Sequence, residues 1–287
     1  LGAIPATTDS LMVVDRAGKY LGLLPITDLL TRDPGLSVAE VMNTDVEGII
    51  ADTPAKDVAK LFEYRDLVTA PVVNEEGQLL GRITIDDVVD VIRDEADHSF
   101  MSMAGLNEEE DMFAPVVTST RRRSVWLGVN LLTAFLASWV IGLFGTTIEQ
   151  LVALAVLMPI VASMGGIAGS QTLTLVIRGM ALGQISQSNA RKLLVKELTV
   201  GLLNGLVWAV VIASVATLWF ENEQLGVIIG AAIVVNLLVA ALSGATIPLL
   251  LRRLGIDPAL AGSVVLTTVT DVIGFFVFLG LAALFLV

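Results

Sequence analysis

A chain of 287 residues with 55% hydrophobic composition, a mean hydropathy of +0.81 and a formal net charge of −12 is too apolar for an ordinary soluble domain. It has no cysteine, which excludes a disulfide framework, a thiolate metal centre and a cysteine nucleophile. The charge is divided: residues 1–120 hold 23 Asp/Glu and 8 Lys/Arg, a balance of −15, whereas residues 121–287 hold 6 and 9, a balance of +3. An acidic aqueous half followed by a membrane half is expected.

The first residues show neither an initiator Met nor a signal-peptide pattern and read as the middle of a domain, so an N-terminally truncated chain is expected. Two segments 59 residues apart then repeat, LMVVDRAGKYLGLLPITDLL at 11–30 and APVVNEEGQLLGRITIDDVV at 70–89. Identities fall at Val13/Val72, Val14/Val73, Gly18/Gly77, Leu21/Leu80, Gly22/Gly81, Ile26/Ile85 and Asp28/Asp87. Each copy predicts a strand, a tight turn at the shared glycine, a second strand, and a helix opening near the aspartate. Thr53 is expected to cap a helix running to Tyr64, with Pro54 at its first position.

The repeat resembles an α/β CBS-domain pair, with the second copy at 41–96 and the first, at 1–40, reduced to its later half. CBS modules are cytoplasmic sensors, so the resemblance implies ATP or another adenosine nucleotide as ligand. Its Gly-x-x-Thr/Ser-x-x-Asp pattern stands here as Gly81, Thr84 and Asp87, with Pro25 in place of the Thr in the first copy. A hydroxyl and a carboxylate three residues apart can bond a phosphate and a ribose diol; the same residues also suit a helix cap and turn with no ligand. Residues 97–123 read as a linker, with an acidic run at 108–111 and a helix from Pro115 leading into Arg121, Arg122 and Arg123. His98, the only histidine, reads as a surface residue.

Five stretches are long and apolar enough to cross a bilayer core of about 30 Å: 124–144, 150–177, 198–220, 224–251 and 258–287. All nine basic residues of this half fall on one side of that series: Arg121–Arg123, then Arg178, Arg191, Lys192 and Lys196, then Arg252 and Arg253. The alternate loops hold only Glu149, Glu221 and Glu223. By the positive-inside rule this predicts a multi-pass protein of the cell (inner) membrane, with a cytoplasmic N-terminus and Val287 outside.

Span 5 carries one charge, Asp271, 13 residues past Pro258 and so roughly 20 Å into the helix. Ser263, Thr267 and Asp271 recur at i, i+4 and i+8, with Thr270 and Gly274 placed on the same side, a polar stripe suited to a pathway. An intramembrane carboxylate serves either a cation or a structural bond to another helix; no Lys or Arg lies deep in any span to pair with it. Span 2 places Pro159 and three glycines at mid-span in MPIVASMGGIAGSQ, so an interrupted helix is expected. Glycines there also suit ordinary close packing.

The CBS pair, the linker, the five spans, the PIVASMGG stretch, LRRLGIDPAL at 251–260 and TTVTDVIG at 267–274 together resemble the MgtE family of magnesium channels and transporters. The resemblance implies a homodimer in membrane lipid. Spans 2 and 5 of both copies line a pore through Gly165, Gly166, Gly169, Gln171, Ser263, Thr270 and Gly274. It places the pore cation on Asp271 and the carbonyl of Thr267, with Asp257 near the cytoplasmic mouth. It implies that Mg²⁺ is both the transported ion and the regulator, with Asp86, Asp90, Asp94, Glu95 and Asp97 as acidic gating positions. One departure stands out: the family's Gly-Gly-Asn-x-Gly-Asn-Gln has Ile167 and Ser170 where the two Asn belong. Another divalent cation, Mn²⁺ or Co²⁺, is the alternative cargo. A membrane protease would need histidine in a span, and none is there, so neither an enzyme nor a nucleic-acid partner is expected.

Overall fold

The computed structural model describes residues 8–106, 112–186 and 188–286; the acidic run at 108–111 lies outside them. The chain forms two compact units, Leu1–His98 and Ser99–Val287.

Unit 1 contains β1 (Ser10–Val14), β2 (Tyr20–Pro25), α1 (Ile26–Thr31), α2 (Val38–Val41), β3 (Ile49–Ile50), α3 (Ala55–Arg65), β4 (Thr69–Val73) and β5 (Leu79–Thr84). It also holds most of α4 (Ile85–Met103). Both copies of the repeat are antiparallel hairpins, with a register shift at Val13/Val14 in one and at Val72/Val73 in the other. The turns are built alike. Asp15 Oδ1 accepts the N–H groups of Ala17 and Lys19, and Asn74 Oδ1 accepts those of Glu76 and Gln78. Gly18 and Gly77 both sit at φ +81°, a conformation that side chains disfavour. The hairpins also bond to each other, Tyr20 N–H to the Gly77 carbonyl at 3.0 Å and Leu79 N–H to the Gly18 carbonyl at 2.9 Å.

Gly77→Ala is therefore expected to destabilise this unit by about 1–2 kcal/mol. Gly18→Ala should cost less, because a methyl at residue 77 would also meet Lys19 Cε at 3.2 Å, whereas one at residue 18 meets nothing within 4 Å. Thermal unfolding of the two variants checks the order.

β3 runs parallel to β4, and Ile49, Val58, Ala59, Phe62, Ala70 and Val88 make the core beneath the sheet. Helix α3 differs from expectation at its start. Pro54, not Thr53, is the N-cap residue, and no side chain caps the helix. Its fixed φ suits that position, and the helix then runs one residue past Tyr64 before Asp66 ends it in the left-handed region.

Unit 2 contains α5 (Val116–Gly142), the short α6 (Gly145–Gln150), α7 (Ala153–Ala181), α8 (Ala190–Phe220), α9 (Glu223–Arg253) and α10 (Pro258–Phe285). All but α6 are long and apolar enough to cross a membrane. Helices α5 and α8 start before the apolar stretches do, taking in Arg121–Arg123 and Arg191, Lys192, Lys196 and Glu197. Charged residues with good helix propensity continue a helix past the point where hydropathy stops marking it. Helix α9 packs against α7, α8 and α10, and Ile229, Ala232, Ile233, Asn236 and Ala240 on it are wholly buried.

The interruption expected in span 2 is absent: α7 runs unbroken through Pro159. A proline removes one N–H from the ladder, and neighbouring turns and helices can absorb that loss.

Candidate cation pathway

Helices α7 and α10 pack together. An open groove runs along them, lined by Ser163, Gly166, Ile167, Ser170, Gln171, Thr174 and Leu175 of α7 and by Thr267 of α10. Asp271 follows Thr267 by one turn and is half-buried. Among the described residues no hydrogen bond or ion pair engages its carboxylate. The Thr267 hydroxyl donates to the carbonyls of Ser263 (3.0 Å) and Val264 (3.1 Å), and the Thr270 hydroxyl donates to the Thr267 carbonyl at 3.1 Å. Only the last of these bonds falls on the Thr267 carbonyl that the resemblance assigned to a cation.

The stripe expected on α10 divides. Ser263, Thr267 and Asp271 share a partly exposed side, whereas Thr270 and Gly274 are buried. The reason is helical geometry: an i+3 step turns about 60° away from the i, i+4 line. Gly166 and Gln171 face the groove, but Gly165 and Gly169 do not. A Cβ on Gly165 would collide with the Asn236 amide, and one on Gly169 would meet Leu266 Cδ1 at 2.8 Å. In this chain those two glycines serve helix contact.

Asp257 is the N-cap of α10, its Oδ1 accepting Ala259 N–H at 2.9 Å with Pro258 at the first position. In unit 1, Asp86, Asp90, Asp94 and Asp97 are exposed along α4, while half-buried Glu95 is paired with Lys56. Arg93 lies 3.9 Å from Asp97. Among the described residues no three His, Asp or Glu side chains converge enough to hold a metal. Thr84 donates to Asp87 Oδ2 from both its hydroxyl (3.2 Å) and its N–H (3.3 Å), and Gly81 is open to solvent.

Two polar residues escaped the sequence reading. Glu197 is 4% exposed on α8, where Oε2 accepts the Thr172 hydroxyl of α7 at 3.1 Å and Oε1 lies 3.2 Å from Lys196 Nζ. Asn236, near the middle of α9, is wholly buried and donates from Nδ2 to the Val161 carbonyl of α7 at 2.8 Å. It is the one amide within a long apolar run, which was the available signal.

Residues 158–281 match the family described as MgtE, divalent cation transporter, and residues 38–94 match the CBS domain. The chain is 35% identical over 276 residues to the magnesium transporter MgtE of Thermus thermophilus, covering 96% of this chain and 61% of that protein. It is 30% identical over 283 residues to the magnesium transporter MgtE of Bacillus subtilis, covering 99% of this chain and 63% of that protein. The chain thus spans about three fifths of the length of these relatives. The solved cytosolic domain of the Mg²⁺ channel MgtE in complex with ATP matches at 43% identity over 30% of this chain and 35% of that one, with a TM-score of 0.29.

Proposed function

We propose that the chain is a member of the MgtE family, with a divalent cation transporter domain behind a CBS domain, and that it moves Mg²⁺ across the cell membrane into the cytoplasm. The observation that carries this reading is Asp271, an intramembrane carboxylate with no hydrogen bond or ion pair among the described residues, one turn past the Thr267 that lines the groove with α7. Such a charge is costly in lipid and calls for a cation or water beside it.

The groove is open along one side and carries the hydroxyls of Ser163, Ser170 and Thr174. Lipid would leave them unsolvated, so the other wall is a second copy of the chain, and the working unit is a homodimer with a pathway between two grooves. Two Asp271 carboxylates facing each other repel when empty and favour a divalent ion. Mg²⁺ gives up water reluctantly; the pair would hold it through its hydration shell.

Purified protein in liposomes is expected to pass Mg²⁺ ahead of Ca²⁺ and Na⁺. Larger Mn²⁺ or Co²⁺ flux would establish the alternative cargo; Ile167 and Ser170, which stand in the groove where the family carries Asn, are the positions that bear on that choice. No divalent flux at all would overturn the transport reading.

We further propose that cytoplasmic Mg²⁺ closes the pathway through the acidic unit. At low Mg²⁺ its charge of like sign drives the CBS halves apart, and bound Mg²⁺ offsets that repulsion. Asp86, Asp90, Asp94, Glu95, Asp97 and Asp257 are the positions involved. Protease cleavage of the segment joining the two units should slow in millimolar Mg²⁺, and an unchanged rate would count against this gating. Gly81, Thr84 and Asp87 fit an adenosine nucleotide. Nothing stands within 4 Å of a Cβ at Gly81, and the Thr84–Asp87 bonds lie at the surface, where a phosphate and a ribose can replace them.

A further inference from the structure

We infer that Asn236 is a positioning residue that clamps the two pathway helices together and thereby sets where Asp271 stands. Its side chain reaches from α9 to both. Nδ2 donates to the Val161 carbonyl of α7 at 2.8 Å. Gly165 of α7 and Gly274 of α10 close on the same amide from two sides. A Cβ built on Gly274 would lie 2.8 Å from Nδ2, and one built on either glycine would lie 3.1 Å from Oδ1. No side chain fits at either position while the amide stays where it is.

Among the described residues Asn236 Oδ1 has no hydrogen-bond donor, although the residue is wholly buried. In each glycine a Cα–H bond occupies the direction a Cβ would take. Both Cα–H groups thus press on the amide, nearer Nδ2 than Oδ1, and supply the oxygen with no conventional donor. An apolar residue at 236 would fill the space without leaving a buried acceptor unpaired. The amide does what an apolar side chain cannot: it fixes the rotation of α7 through a carbonyl and holds α10 at contact distance. Gly274 lies three residues after Asp271, less than one turn away. A shift or rotation of α10 at that contact moves the Asp271 carboxylate relative to the groove wall of Ser163, Gly166 and Ser170.

This inference rests on the proposed pathway between α7 and α10, so its test pairs a distance with a flux. The chain has no native cysteine, which lets spin labels be placed at Val156→Cys on α7 and Val265→Cys on α10, both exposed and outside the groove lining. In Asn236→Leu the interlabel distance distribution should broaden or shift, and Mg²⁺ flux per folded protein should fall about tenfold, the size of one lost bond. Asn236→Asp is isosteric and, as the neutral acid, can donate to the Val161 carbonyl. It should recover the native distribution and most of the flux.

Should Asn236→Leu not fold, Gly274→Ala, which adds one methyl against the amide, should produce the same shift. A native distance distribution in folded Asn236→Leu or Gly274→Ala overturns the clamp. So does an equal shift in Asn236→Leu and Asn236→Asp, because the isosteric acid keeps a donor for the Val161 carbonyl. Absence of flux in the unsubstituted protein would sink the pathway reading, yet the distances would still decide the clamp.

Discussion

Asp271→Ala should reduce Mg²⁺ flux by about a hundredfold or more. A unit charge about 4 Å from a carboxylate gains about 4 kcal/mol at an effective dielectric constant of 20, and a divalent ion gains about twice that. Even a third of this interaction, lost with the charge, corresponds to about a hundredfold. Asp271→Asn keeps an oxygen but not the charge, so an intermediate loss is expected. The same substitutions should leave thermal stability unchanged or raised, because no hydrogen bond or ion pair engages this carboxylate within the described chain and removing a lone intramembrane charge relieves desolvation. Growth of a transport-deficient strain at low Mg²⁺ gives the readout. Normal rescue by Asp271→Ala would remove Asp271 from the pathway, and a large loss of stability would make it a structural residue instead.

Much of the fold is legible in the chain because local rules and burial agree there. The two hairpins follow from a repeated pattern whose shared glycines, Gly18 and Gly77, each occupy the left-handed turn position. The membrane half follows from five apolar runs, since in lipid an unbroken helix is the cheapest way to satisfy a backbone. Periodicity is less informative about which face of such a helix does what. In a soluble helix polarity marks the side away from the core, but α7 and α10 have small and polar residues on both their groove and packing sides. Gly166 lies in the groove and Gly165 against Asn236, one residue apart and identical in type. Thr267 and Thr270 divide in the same way. Only the neighbouring helix decides between them, and its position is a tertiary fact.

The two polar residues that escaped detection did so for different reasons. Asn236 carries no charge, so a search for ionisable groups passes over it, although a lone amide in IIGAAIVVNLLVAAL is visible once amides are counted. Glu197 sits beside Arg191, Lys192 and Lys196, where composition suggests a solvated edge. Its burial arises because α8 continues as a helix through that edge and lays residue 197 against Thr172 of α7.

That contact sets up the second large effect. Thr172→Val is isosteric and removes the hydroxyl that donates to Glu197 Oε2, leaving a carboxylate oxygen 4% exposed at the residue level without its donor. Hydrogen bonds to charged groups contribute about 1.5–3 kcal/mol, so thermal unfolding in detergent should fall by several degrees, roughly 4–8 °C. Glu197→Gln should cost less. Its amide oxygen still accepts from Thr172, and what is lost is the pair with Lys196, whose side chain is 65% exposed and is screened by solvent. Thr172 is buried away from the residues that line the groove, so ion flux per folded molecule should stay near the native level in both variants. The expected order is therefore native, then Glu197→Gln, then Thr172→Val. The reverse order would assign the stability to the Lys196 ion pair, and a flux loss matching the stability loss would draw this contact into the pathway itself.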